Sequence, residues 1–491
     1  MKPKHLIISF LVISLLILRF INLINIPIFG DESLYINFAK NINQNFKNHY
    51  LDSISYGVFP VFIWLQAFFH QLFNSTINPL LLSRIVAVVA DIISTIFIYL
   101  IGKKIYGRIY GYISTIIYLI LPLTFFHSRL ALLESTTHML MIIAIYLSVL
   151  GIKSTSLLKR FNSQWILTMA IILTLAFFTK PLAIISFAPV FLVPLFFKSK
   201  IVHMKTSKNI WLNYFTAFLL TGIIIALLYI PVKHHFSKFI FTSNLFSFQA
   251  IGFFLSNLIK AFSWSRIYFT PPLLFIIITV FIYSLLKRKL PLLWLSFWLI
   301  QGLLLSSFFG SYFFPRHLFL LASPATFLVS YSFYKLIKKN NPSYLLLCFV
   351  LCVPAIYLLI QIINNPHSAN IAGEDKQQLY ENWNSGVGLF EISQKINQIS
   401  KQQRITVLIE NDPSIIWPFN YLYKLNNVNI ITSDQLLNQK DINFHQIANQ
   451  INDPIYFIIA INQDFHPNKN NQLILSIPRG SNYSISLYQA I

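Results

Sequence analysis

"SRIVAVVADIISTIFIYLIGKK", residues 83–104, runs twenty residues with one acid and one base before ending on a lysine pair. A helix rises 1.5 Å per residue, so about 20 apolar residues cover the ~30 Å hydrocarbon core of a bilayer. The stretch reads as a transmembrane helix whose lysine end stays in the cytoplasm. Arg84 and Asp91 lie seven residues apart, two turns along one face. Ionisable groups at membrane depth are costly unless paired or functional, so the two read as a structural charge pair inside a bundle.

The pattern recurs along the chain. Eleven apolar runs are predicted as spans: about 5–24, 83–102, 110–126, 133–150, 164–179, 182–197, 211–230, 271–286, 291–309, 317–336 and 343–363. The first follows Met1-Lys2-Pro3-Lys4, like the basic start of a signal peptide. Its apolar stretch is too long and no small-residue cleavage site follows, so it reads as a retained helix. Basic clusters alternate with these runs: Lys103, Lys104 and Arg108; Lys153, Lys159 and Arg160; Lys198, Lys200, Lys205 and Lys208; Lys287, Arg288 and Lys289; Lys335, Lys338 and Lys339. With eleven spans every cluster and the N-terminus fall on one side, as the positive-inside rule requires. The expectation is a multi-pass integral membrane protein with a cytoplasmic N-terminus and its C-terminal region outside.

Composition agrees. The chain is 56% hydrophobic and 11% charged, against about 25% charged residues in soluble domains. A net charge of +22 would suit nucleic acid, but its distribution excludes that partner. Residues 1–363 hold 29 Lys and Arg against five acids, and residues 364–491 hold eight against ten. The basicity belongs to the membrane part. Cys348 and Cys352 sit four apart in one apolar run, without metal-ligand spacing, and read as lipid- or helix-facing thiols.

Two regions stand outside the bundle. The first is the loop 25–82, which contains "IPIFGDESLYINFAKNI" (26–42). There Tyr35, Phe38, Ala39 and Ile42 share one helical face, and a second helix is expected over 59–73, starting at Pro60. Both read as interfacial helices, although 59–73 would also pass as a short span. The turns near 127–132, 180 and 310–316 and a loop over 231–270 are expected on the same outer side. The second region is 364–491, with strand-like "ITVLIEND" (405–412), "VNIITSD" (428–434), "PIYFIIAIN" (454–462), "QLILSIP" (472–478) and "YSISLYQ" (483–489), and a helical pattern at 389–400. This predicts a small extracytoplasmic α/β domain. It has no Gly-rich phosphate loop, nucleophile elbow or metal cluster, and no internal repeat of the transporter kind. The domains expected are thus 1–363 and 364–491.

The first 363 residues contain only Asp31, Glu32, Asp52, Asp91 and Glu134 as acids. Asp31 follows Gly30 and precedes a helical pattern, so it suits an N-cap, with Glu32 favourable in the first turn. Glu134 similarly suits the start of span four. Three isolated cations lie at outer span ends: Arg129 in "FFHSRLALLES", Lys180 in "AFFTKPLAI" and Arg316 in "YFFPRHLFLL". One alone reads as a snorkelling side chain. Three on the same side as Asp31, Glu32 and Glu134 suit a lipid-linked phosphate beside a group that needs a base. Arg offers a planar fork to phosphate and Lys a compact charge, while a carboxylate near a hydroxyl can act as general base.

These motifs resemble the GT-C-type membrane glycosyltransferases that use polyprenyl-phosphate sugars, a superfamily that includes protein O-mannosyltransferases and aminoarabinose transferases of lipid A. The acidic pair of that superfamily is matched by Asp31-Glu32 with Tyr35, its span-two Arg by Arg84, and its R-x-A-x-x-(D/E) stretch by "RLALLE" (Arg129 to Glu134). Its (T/S)K-(G/P) turn is matched by Thr179-Lys180-Pro181 and its (F/L)PRY turn by "FFPRH", with His317 in place of Tyr. "YENWNSGVGLFEI" (380–392) looks like the start of the outer domain in some bacterial members. The usual PP or HPPL element is reduced to Pro60 in "YGVFPVFIW". The resemblance implies a GT-C-like fold in the bacterial plasma membrane and inverting transfer from a polyprenyl-phosphate sugar at the outer face. The acceptor would be a protein, lipid or glycan. It makes Asp31 the candidate base, supported by Glu32. Arg129, Lys180 and Arg316 would hold phosphate, with Glu134, His317, Tyr35 and Arg84 completing the substrate site. Some members carry a divalent metal, and no ligand cluster for one is visible here. A flippase or transporter of lipid-linked saccharides, a scaffold with a partner-binding outer domain, and a surface-polysaccharide ligase or polymerase remain alternatives.

Overall fold

The computed structural model describes residues 3–73, 77–153, 162–197, 204–230, 248–308, 313–382, 384–410, 412–423, 425–433, 453–462 and 471–490. Lys159, Arg160, Lys198, Lys200 and the stretches 231–247 and 309–312 lie outside the described residues, so the basic clusters and outer loops placed there are left to the sequence.

In chain order the main helices are α1 (Pro3–Leu18), α2 (Gly30–Gln44), α3 (Pro60–Phe73), α4 (Pro79–Tyr106), α5 (Arg108–Ile120), α6 (Pro122–His127), α7 (Leu133–Lys153) and α8 (Ser163–Thr179). They continue as α9 (Phe187–Phe196), α10 (Met204–Tyr229), α11 (Phe248–Tyr268), α12 (Pro271–Lys287), α13 (Leu290–Ser307), α14 (Ala322–Ile337), α15 (Pro342–Asn364) and α16 (Leu389–Ser400). Each of the eleven predicted apolar runs falls on helix. Among the described residues six helices are long and apolar enough to cross a membrane, or seven if one bent pair counts as a single span. The other runs are shorter helices, so eleven crossings remain an expectation of sequence.

One expectation is corrected. The stretch 231–270, predicted as a loop, carries helix α11 from Phe248 to Tyr268. Its apolar residues are interleaved with Gln249, Asn257, Lys260 and Arg266, which kept it below the level of a span. It joins α12 across a 118° bend. Pro271 and Pro272 cause that bend. Proline removes a helix donor and pushes the preceding residue out of the α region, and Thr270 duly sits at φ 58°, ψ 148°.

By contact the chain divides into two compact units, residues 1–21, 50–65 and 84–372, and residues 22–49, 66–83 and 373–491. Two pieces of the outer loop therefore cluster with the C-terminal region, which differs from a cut at residue 363.

The first unit is a helical bundle that carries large apolar residues on its outer surface as well as in its interior. On α15, Leu345, Leu346, Phe349, Val350, Val353, Tyr357 and Ile360 are exposed, whereas Cys348, Cys352 and Ala355 are buried. Small and weakly polar residues facing neighbours, with large apolar ones facing outward, is the arrangement lipid favours. The two cysteines are thus helix-facing, and both are free thiols. Between α4 and α5 the same rule acts through glycine. A Cβ on Gly102 would lie 2.9 Å from the Gly111 Cα, and Gly107 turns the chain at φ 97°. Only the missing side chains let these backbones approach so closely.

The second unit is built on a five-stranded sheet ordered β2-β1-β3-β5-β4, with β1 Ile405–Glu410, β2 Val428–Ser433, β3 Ile455–Asn462, β4 Gln472–Arg479 and β5 Tyr483–Gln489. β1 pairs in parallel with β2 and β3, and β5 runs antiparallel to β3 and β4. All five strands and α16 fall where the sequence pattern put them. Side chains alternate across a strand, so Val407, Ile409 and Ile458 enter one apolar cluster while Leu408, Phe457 and Ile459 enter another. The first cluster also takes Leu389, Ile392 and Ile396 of α16, Leu80 of α4, and Ile28 and Ile36 from the acidic-motif segment.

Candidate active site

Three proline breaks shape the site-bearing ends of the first unit. Lys180 precedes Pro181 and is extended at φ −156°, ψ 122°, which ends α8 at Thr179. Phe314 precedes Pro315 at φ −126°, ψ 156°, and the turn Pro315–Leu321 then carries Arg316 and His317. Leu121, extended before Pro122, separates α5 from α6. In each case the residue before proline is driven out of the helical region.

These breaks bring Glu134, Lys180 and Arg316 together. Glu134, in the first turn of α7, accepts at Oε1 from the Lys180 Nζ at 2.5 Å and faces the Arg316 Nε at 3.5 Å. The three side chains are 5%, 17% and 12% exposed, in that order. The Arg316 guanidinium also lies 4.6 Å from the Phe314 ring centre, a favourable cation–π distance. Lys180 and Arg316 therefore converge on the same carboxylate oxygen. Beside them, His317 Nδ1 accepts from the Phe314 N–H at 3.3 Å. Phe59, just before α3, has its ring centre 5.7 Å from that of Phe177 and 5.8 Å from that of Phe178, two residues short of Lys180.

Arg129 and Arg84 are placed differently. Arg129 is fully buried, donates from Nη2 to the Ile21 carbonyl at 2.5 Å, and lies over the Phe125 ring at 5.1 Å. Arg84 is fully buried within α4. The charge pair expected between Arg84 and Asp91 is corrected: Asp91 pairs with Arg19 at 2.9 Å, both side chains being wholly buried. Seven residues rise about 10 Å along a helix, too far for Arg84 to reach Asp91 directly. Arg19 lies inside the first predicted run, 5–24, where the sequence did not single it out. Its Nη1 donates to Ser128 at 2.8 Å and its Nη2 to Thr124 at 3.3 Å. Tyr118 donates to the Asp91 Oδ1 at 2.7 Å and lies 3.2 Å from the His138 Nδ1. His138 Nε2 in turn meets Ser323 at 2.6 Å. Arg19 and Arg129 thus clasp the end of α1 to the turn that leads into Glu134.

Asp31, Glu32 and Tyr35 belong to the second unit. Phe29, rather than Asp31, holds the N-cap position of α2, so the expected cap is corrected by two residues. Glu32 supplies the capping contact instead: its Oε2 accepts from the Phe29 N–H at 3.0 Å, and the side chain is fully buried. That pattern is the reciprocal half of a capping box. Asp31 is left one position earlier and half-buried, and Tyr35 is buried. Near this helix start Asp412 accepts from the Ser414 N–H and hydroxyl at 2.7 and 2.6 Å. Burial pushes the Asp412 carboxyl above its ordinary range despite those bonds and nearby Arg479. Among the described residues no three His, Cys, Asp or Glu gather in a way that would hold a metal ion.

The chain thus combines an apolar helical bundle, in which Glu134 is clamped by two cations, with a small mixed sheet. Residues 58–225 match the family model described as dolichyl-phosphate-mannose-protein mannosyltransferase. The solved structure of ArnT from Cupriavidus metallidurans in the apo state is similar with a TM-score of 0.60 at 12% identity, covering 99% of this chain and 98% of that one. ArnT bound to undecaprenyl phosphate gives 0.55 at 12% identity, with the same coverage, 99% and 98%. The archaeal oligosaccharyltransferase AglB from Archaeoglobus fulgidus, in complex with an inhibitory peptide and a dolichol-phosphate, gives 0.57 at 13% identity, covering 94% of this chain and 70% of that one. None of the curated proteins compared with the chain matches it in sequence. The GT-C resemblance drawn from the motifs therefore holds in fold and in the matching segment.

Proposed function

We propose that the chain transfers a sugar from a polyprenyl-phosphate donor to an acceptor hydroxyl at the outer face of the membrane, with inversion at the anomeric carbon. The observation that supports this reading most is the pairing of Lys180 and Arg316 on the buried Glu134. In the donor the sugar is bonded to a phosphate oxygen, and transfer leaves a polyprenyl phosphate that carries the released charge. Lys180 and Arg316 bind and neutralise that phosphate, while Glu134 holds both cations in place. Asp31 takes the proton of the acceptor hydroxyl as it attacks the opposite face of the sugar. Glu32 sets the start of the helix that presents Asp31, and Tyr35, Arg84 and His317 complete the substrate site. Arg129 acts through the turn it holds.

Membranes containing the full-length chain, supplied with a panel of polyprenyl-phosphate sugars, test the assignment; no transfer from any of them overturns it. Lys180→Ala is expected to raise the donor KM by about 10–100-fold, the loss of one charge-assisted hydrogen bond, with a smaller fall in kcat. Lys180→Arg keeps the charge and is expected to retain most donor use. An unchanged donor KM in Lys180→Ala removes the phosphate role.

A flippase for the same lipids is the second reading, favoured by the helix pair bent by 118° at Pro271, since broken helices line substrate paths in transporters. Lipid movement in proteoliposomes without an acceptor, unaffected by Asp31→Asn, supports that reading over transfer.

A further inference from the structure

We infer that the C-terminal sheet domain is the positioning element of the acidic motif, with the Ser385–Gly386 segment and Asn384 seating the start of α2 in the active state. The inference rests on the proposed role of Asp31 as base and goes beyond it. All of its contacts lie within the second unit. Phe29 and Ser385 form an antiparallel bridge, so the residue that caps α2 is tied by backbone to the C-terminal region. Ser385 is itself held by its hydroxyl, which donates to the Leu379 carbonyl at 2.7 Å.

Gly386 fits against Ile28 so closely that a Cβ there would lie 2.6 Å from the Ile28 Cγ2 and 2.7 Å from its backbone N. Contacts under about 3 Å force something to shift, and here the obstacle includes backbone. A Cβ on Gly30 would stand 3.4 Å from the Cβ of Ser414 and 3.6 Å from that of Asn384. Further along α2, Ile36 enters the apolar cluster of the sheet, and the Phe38 ring centre lies 6.3 Å from that of Trp417. The helix that carries Asp31 is thus anchored at its cap, its first turn and its middle. A base must be held within a fraction of an ångström of its working position, and a short helix in a loop gains that rigidity only from what it docks against. Gly386, Ser385 and Asn384 are positioning residues in this scheme, since none needs to touch the substrate.

Two experiments on the full-length protein test it. A Cβ separation of 3.6 Å at Gly30 and Asn384 lies in the range bridged by a disulfide, about 3.5–4.5 Å. Cys348 and Cys352 are buried in α15 and do not compete. Gly30→Cys/Asn384→Cys is expected to crosslink on oxidation and to transfer sugar equally well before and after reduction. Failure to crosslink overturns the docking. Activity lost on oxidation and regained with dithiothreitol shows that α2 must leave the domain to work, and overturns the inference too.

In the second experiment, Gly386→Ala is expected to lower kcat by about 10–10²-fold, as small displacements of a reacting group do. The donor KM should stay near wild type, because the phosphate-binding cations lie outside this unit. Unchanged kcat, or a fall in kcat matched by an equal rise in donor KM, overturns a positioning role. If Asp31→Asn is instead fully active, the base assignment fails whatever the crosslink shows, so the two ideas fail separately.

Discussion

Asp31→Asn is expected to lower transfer by about 10²–10⁴-fold, the usual contribution of a general base, with expression and membrane insertion near normal. The substitution keeps size and one acceptor oxygen, replaces the other with an NH2 donor, and removes the ability to take a proton. The capping contact to the Phe29 N–H is made by Glu32 and survives the substitution. The loss should appear in kcat rather than in donor KM. Glu32→Gln serves as the contrast. It weakens a buried cap, and an effect on stability that exceeds its effect on kcat is expected. Full activity in Asp31→Asn would remove that residue from the base role.

Asp91→Ala is expected to destabilise the bundle by about 3–5 kcal/mol, because it leaves the buried Arg19 charge without its counter-ion. Tyr118 would also lose the acceptor that it now reaches at 2.7 Å. The consequence extends to the candidate site, since Arg19 and Arg129 hold the turn before Glu134. Arg19→Met/Asp91→Leu replaces both charges with apolar groups and should recover most of the loss, as paired replacement of buried ions does elsewhere. Thermal unfolding of the detergent-solubilised protein reads both. A single variant as stable as wild type would show that the pair contributes nothing, and a double variant as poor as the single one would show that specific charge is required.

The eleven apolar runs, the basic clusters between them and the period-2 strands near the C-terminus were all legible, because each is a local pattern set by the bilayer or by the pleat. The span ends predicted at Lys180 and Arg316 coincide with the breaks before Pro181 and Pro315, whereas the break before Pro122 falls inside the predicted run 110–126 and went unread. What escaped was partnership. Arg84 was the nearest cation to Asp91 in sequence, yet Arg19, in the turn after α1, is its ion-pair partner. Gly30 next to Asp31 looked like a helix boundary, yet the cap lies at Phe29. The helix over 248–268 escaped because its polar residues dilute the apolar signal that a bilayer-sized window detects.

Hydropathy and turn chemistry act over a few residues, so the chain alone places most of its helices and strands and shows which chemistry it has to hand. Ion pairs, caps and docking depend on which side chains meet from distant positions. That choice is made by close packing, where removing a Cβ at Gly386 or reaching from Arg19 to Asp91 decides the outcome. Hence Glu134, Lys180 and Arg316 could be named from sequence as neighbours in role, while their shared contact belongs to the bundle. The seat of Asp31 on the sheet domain, in turn, belongs to a fold that joins residues 30 and 384.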